Sequence, residues 1–146
     1  MLKDKKNKQA GFTLIELMLV VAIIGALGAI VIPRFSVSQE AARTARVQAD
    51  LRTIESAMVM FEADVGVSPT GINQLTNAFT PTGTTRSFGP YLRSTPITPA
   101  GTVRVIGTDG TAATDTASSV PNSYGISGGR AVFIGVGGSY TVENIR

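Results

Sequence analysis

The sequence has 146 residues, 43% of them apolar, which is enough for one domain with a modest core and too little for two. There is no Cys, His or Trp, so disulfides, thiol and imidazole catalysis, and the common zinc and haem ligand sets are excluded. Residues 1–11 hold four Lys and one Asp, whereas residues 12–146 hold nine Arg, nine acids and no Lys. The excess positive charge therefore sits at the amino terminus, and with the nine Arg scattered along the chain no specific nucleic-acid partner is expected.

Residues 12–32 are uncharged apart from Glu16, and at about 1.5 Å per residue they make a helix of roughly 31 Å, the thickness of a bilayer's hydrocarbon core. Lys3, Lys5, Lys6 and Lys8 precede this run, which keeps the amino terminus in the cytoplasm by the positive-inside tendency. A secretory signal peptide is one alternative, with Ala26-Leu27-Gly28 as a small-x-small cleavage site. Against it, the apolar run continues to Ile32 and a charge lies inside it. A plain signal anchor explains everything except Glu16 and the Gly11-Phe12 junction. A carboxylate in a membrane segment costs about 2.5–3.5 kcal/mol and needs a partner. Cleavage after Gly11 supplies one, because the new amine of Phe12 stands at i, i+4 from Glu16 in the same or a neighbouring subunit. A snorkelling or protonated glutamate near the helix end is the other reading.

The string Lys8-Gln9-Ala10-Gly11-Phe12-Thr13-Leu14-Ile15-Glu16 resembles the class III leader junction of type IV pilins and type II secretion pseudopilins, and the resemblance extends over residues 8–35. It implies that a membrane aspartyl prepilin peptidase cuts between Gly11 and Phe12 and that the Phe12 amine is methylated. It further implies that Glu16 sets the register of one subunit on the next, and that Gly25 and Pro33 lie where the helix can loosen inside a filament. Chemistry agrees on the last point: proline lacks an N–H donor, while Gly25 and Gly28 lower helix propensity and permit close helix approach.

Beyond Pro33 the pattern becomes one-sided. Val47, Leu51, Ile54, Met58, Phe61 and Val65 recur at alternating spacings of four and three, forming an apolar stripe, with Glu40, Arg43, Arg46, Asp50, Arg52, Glu55 and Glu62 on other faces. The spacing predicts a helix to about Asp64, stopped at Gly66 with Pro69 beyond. The stripe packs beneath the protein's own carboxy-terminal sheet or, alternatively, pairs as a coiled coil. Arg43 and Arg46 are placed to meet acids of a neighbouring subunit or to remain solvated.

Residues 66–100 read as a connecting loop with a short helix around 72–79. Strands are expected at 102–106, 130–136 and 139–144, the last two joined through Gly137-Gly138, making an antiparallel sheet of three or four strands. The fold class is α+β: a long amino-terminal helix packed on a small carboxy-terminal antiparallel sheet, as in the pilin fold. The strings Phe61 to Thr70 and Gly89 to Pro99 are similar to the major pseudopilin of type II secretion. In that family a carboxy-terminal loop with clustered acids binds calcium; the equivalent stretch here, 107–129, offers Asp109 and Asp115, with Asn122 as a further oxygen donor. An exposed Thr/Ser/Gly-rich loop is the other reading of this stretch, and no cofactor besides calcium is suggested. The disulfide that closes the pilin carboxy-terminal loop is impossible without Cys.

The expected organisation is a cleaved leader (1–11), a transmembrane and assembly helix (12–33), an amphipathic helix (34–65), and a connecting loop with carboxy-terminal sheet (66–146). The resemblance implies a structural subunit of a type IV pilus-like filament or a type II secretion pseudopilus. It would enter the inner membrane with its amino terminus in the cytoplasm, meet the prepilin peptidase and an inner-membrane assembly platform, and polymerise with itself and minor pilins. Its destination would be a periplasmic pseudopilus or an extracellular filament. A minor pilin that caps a filament and captures DNA or another ligand is the alternative. A membrane-anchored enzyme is disfavoured, since residues 12–146 lack Lys and their acids lie mostly on one helix.

Overall fold

A computed structural model of the protein describes residues 11–107, 109–117 and 123–146. Residues 1–10 of the expected leader, with their lysines, and Asn122 lie outside the described residues. The chain divides into two units, Met1–Val37 and Ser38–Arg146.

In the first unit the principal element is the opening part of α1, a helix that runs Leu14–Val65. Its apolar side chains point in all directions and are exposed, Ile15 at 74% and Ile32 at 73%. The backbone is helical through Pro33, although proline brings no N–H to the ladder there.

In the second unit α1 carries a single buried stripe. Val47, Leu51, Ile54 and Phe61 are fully buried and Met58 nearly so, with Val65 partly buried at the end. The helix stops where expected: Gly66 takes the left-handed conformation at φ +81° and its N–H closes onto the Glu62 carbonyl at 2.8 Å, the geometry of a glycine cap. The connecting region folds back against this end of α1. Its helix α2 is a single turn, Asn73–Thr76, shorter than the expected 72–79. Leu75 is fully buried, and its carbonyl accepts both the Tyr91 and Leu92 N–H groups at 2.8 Å. Phe79 and Tyr91 then pack on Phe61 with centroids 5.2 and 5.7 Å away.

The β structure differs from the expected single sheet. Strands β1 (Thr102–Ile106) and β2 (Ala112–Thr116) form one antiparallel pair, and β3 (Tyr124–Ser127), β4 (Arg130–Ile134) and β5 (Ser139–Tyr140) form a second sheet in that order. An isolated bridge Ala117↔Gly135 joins the ends of β2 and β4, and another, Val105↔Ile145, ties β1 to the carboxy-terminal segment. β1 matches the expected 102–106. β2 and β3 fall in the stretch read as loop, and the expected strand 139–144 is a two-residue strand followed by a 3-10 turn, Val142–Asn144. Asn144 ends that strand early because its side chain takes the Thr141 N–H and hydroxyl, closing the turn. The β3–β4 connection is Gly128-Gly129, both at positive φ, the two-residue hairpin turn whose twist suits antiparallel strands.

Val103, Val105, Tyr124, Ala131, Phe133 and Ile145 cover the α1 stripe, so the head closes over one face of this helix as expected. Fully burying aromatic rings contributes most to such a small core. We expect Phe61→Ala to lower the unfolding free energy by about 3–5 kcal/mol, read by denaturant titration of the detergent-solubilised chain; a loss below about 1 kcal/mol would mean that the three-ring contact is not part of the core.

Candidate functional site

The start of α1 is organised around Thr13 and Glu16. Thr13 donates its N–H and its hydroxyl to Glu16 Oε2, each at 2.9 Å, and its Oγ1 accepts the Glu16 N–H at 3.2 Å. The Thr13 carbonyl accepts the first helical bond, from Leu17 at 3.2 Å. This is a capping box, in which the N-cap hydroxyl and the carboxylate three residues on satisfy each other's backbone donors. It also gives the carboxylate partners where the apolar run begins. Thirteen Leu, Ile, Val and Phe residues lie between 12 and 32, each worth roughly 0.3–0.6 kcal/mol at a bilayer centre, and together they outweigh one glutamate at about 2.5–3.5 kcal/mol.

Phe12 precedes the helix and is 90% exposed. In the uncleaved chain Thr13 caps the start of the helix and donates to the Glu16 carboxylate. The signal for Thr13 was present as Thr-x-x-Glu ahead of an apolar run. Gly25 and Gly28 lie on α1, and beyond the adjoining residues and the helix's own backbone nothing comes within 4 Å of where a Cβ would stand, leaving a notch for close approach. Pro33 lies within α1.

Arg43 and Arg46 are held by their own chain. Arg43 donates to Gln39 at 3.0 Å and lies against Gly101; Arg46 reaches the Ile97 carbonyl at 3.4 Å and Asp50 at 3.9 Å. Further along α1, polar groups fix the head at intervals. Arg104 meets Glu40 at 2.6 Å and gives its N–H to Thr44 at 2.9 Å, Gln48 holds the Ile145 carbonyl, the Tyr124 hydroxyl donates to Asp50 at 2.8 Å, and Tyr91 donates to Asp64 at 2.9 Å. Burial, then the hydrogen bond to Asp50, pushes the Tyr124 phenol well up, so it stays a donor at any physiological pH.

The two calcium candidates serve other contacts. Asp109 Oδ1 accepts the Thr111 hydroxyl at 2.7 Å and N–H at 3.0 Å, holding the turn between β1 and β2, and these bonds lower its carboxyl below the ordinary aspartate value. Asp115 is buried in β2 and faces hydrogen-bond donors. Among the described residues no group of three or more acids gathers, and two carboxylates already occupied by N–H and O–H groups do not fit an ion that takes 6–8 oxygens.

An apolar helix opened by a capped glutamate, and a one-sided helix under a small antiparallel head, define a pilin-like subunit. Comparison with known proteins agrees. The family described as the prokaryotic N-terminal methylation motif matches residues 6–32. Type II secretion system core protein G of Aeromonas hydrophila is 33% identical over 102 residues, 66% of this chain and 71% of the relative. The protein of the same name from Vibrio cholerae serotype O1 is 35% identical over 101 residues, 66% and 69% of the two chains, and that of Klebsiella pneumoniae is 34% identical over 100 residues, 65% and 71%. The chain belongs to the type II secretion system core protein G family. No solved structure matches it.

Replacing Thr13 by Val keeps shape but removes the capping hydroxyl, a loss of about 1 kcal/mol at the helix start. Amide exchange at residues 14–17 is expected to quicken about fivefold in the micelle-bound chain; unchanged exchange there would show that the box does not hold the helix end.

Proposed function

We propose that this chain is the structural repeat of a type II secretion pseudopilus, that its leader (1–11) is removed between Gly11 and Phe12, and that the Phe12 amine is then methylated. The observation that carries this reading is the likeness to core protein G over two thirds of the chain, with the methylation motif falling on the Gly11-Phe12 junction. Of the two filaments consistent with the sequence, this likeness supports the one used in secretion.

Before assembly the chain is held in the inner membrane by residues 12–33, the one described helix long and apolar enough to cross a bilayer. The lysines at 3, 5, 6 and 8 support a cytoplasmic amino terminus. Residues 34–65 continue the helix, and 66–146 form its cover. Homopolymerisation, the prepilin peptidase, an inner-membrane platform and minor subunits are the partners this role requires. The role is structural rather than catalytic.

Glu16 is the residue on which assembly turns. In the uncleaved chain its carboxylate is shared with Thr13; once Phe12 carries a cationic amine, a stronger partner exists within the subunit or on the next one. Gly25 and Pro33 supply the places where the helix can adapt as subunits pack. Extraction from the bilayer then exchanges lipid for neighbouring helices around the same apolar side chains.

The deciding experiment is intact mass and amino-terminal sequencing of the membrane-extracted protein. A chain that begins at Phe12 with one added methyl group is the expected result; a chain that retains Met1, or one cut near Gly28, overturns the reading. Glu16→Ala should leave insertion and leader removal intact while reducing filament yield at least tenfold, and normal filaments in that variant would remove the register role. Gly11→Val should keep the full leader and yield no filament, because a branched side chain at the cut fits the implied peptidase poorly; normal processing would refute that requirement.

A further inference from the structure

Asp115 is a charged side chain only 9% exposed, and the structure around it is shaped to receive a carboxylate. Its Oδ1 accepts the Thr116 N–H at 2.7 Å, and the Gly137 N–H points at both oxygens, 3.2 and 3.0 Å away. The Tyr140 hydroxyl lies beside the same glycine, Gly137, and burial followed by the influence of Asp115 raises the Tyr140 phenol above its ordinary value. A Cβ at Gly135 would overlap the carboxylate, and one at Gly137 would come within 3.1 Å of it. Glycines at both places leave the space that Asp115 fills. The contacts join separate segments: Asp115 belongs to β2, while Gly135, Gly137 and Tyr140 belong to the end of β4, the following turn and β5. Beside it, Val136 donates to the Thr116 carbonyl at 3.0 Å and Ala117 bridges Gly135.

Buried charge is tolerated only when donors replace its water, and here the backbone N–H groups of Thr116 and Gly137 do so. A cation would need the same oxygens turned toward it and the donors turned away. We propose that Asp115 fastens β2 to the segment after β4 through hydrogen bonds and is not a calcium ligand, so that the head's folding does not depend on divalent cations.

The test is the thermal midpoint of the full chain in detergent, measured with a chelator and with millimolar calcium. The parent midpoint is expected to agree within about 1 °C in both, while Asp115→Asn lowers it by about 5 °C or more in both. Tyr140→Phe, which keeps the ring and removes the hydroxyl beside Gly137, should give a smaller drop. Gly135→Ala should lower the midpoint in the parent but much less in an Asp115→Ala background, because the overlap is with the carboxylate itself. A calcium-dependent rise of several degrees in the parent overturns the proposal, as does an unchanged midpoint in Asp115→Asn. If Asp115→Asn does not fold, Tyr140→Phe and the calcium comparison decide. The readout is folding alone, so its outcome is separate from leader processing and filament growth.

Discussion

The central constraint on this protein is that one helix meets two kinds of surroundings. Over residues 14–32 α1 is apolar on every side and exposed, which is stable only when lipid or other helices cover it. Over residues 47–65 it is apolar on one side only, and its own chain covers that side. At about 25 cal/mol per Å² of buried apolar surface, neither part is dispensable, yet they draw on different sources of cover. The first part can change its surroundings without disturbing the contacts that the second makes.

Polar chemistry manages the places where this arrangement is vulnerable. At the entry to the apolar helix, Thr13 and Glu16 satisfy one another, so the carboxylate needs no external partner until one becomes available. Along the part of α1 in the second unit, Glu40 and Thr44 both hold Arg104, while Gln48, Asp50 and Asp64 hold Ile145, Tyr124 and Tyr91. Arg130 adds Glu143 at 3.0 Å and Glu55 at 3.5 Å; exposed pairs of this kind add little energy individually. Their effect is to fix which strand lies over which turn of helix. Arg46, Arg104 and Arg130 are paired with acids of their own chain in this way.

What could be read in the sequence follows the strength of local signals. The stripe from Val47 to Val65 was legible because its spacing repeats through five turns, and its end because Gly66 and Pro69 both stop helices. β1 alternates apolar and polar residues in the ordinary way. β2 was not legible: Ala-Ala-Thr-Asp-Thr has no apolar face, and its one buried residue is Asp115. Only partners 20 or more residues away explain that burial. β3 is short and lies next to a Gly-Gly turn whose hairpin signal was available at 128–129 and was read only at 137–138. Thr13 was similarly visible as a capping box but overshadowed by the resemblance to a leader junction one residue earlier. The methylation motif was legible because its residues lie together in one short string, Lys8 to Glu16.

The polar contacts on α1 also determine how the protein must reach its folded state. Gln48 waits for Ile145 and Asp50 for Tyr124, separations of 97 and 74 residues. Such topology slows folding, because long chain segments must be closed before their contacts reward the closure. Synthesis produces the stripe before its cover: Phe61 can meet Phe79 and Tyr91 first, while the cover from Tyr124, Phe133 and Ile145 arrives last. A ribosome stalled before residue 124 would therefore present a sticky amphipathic helix whose stripe is only partly covered. The subunit's most hazardous moment is thus its own synthesis, and the helix that later serves as its spine is the part that needs shielding then.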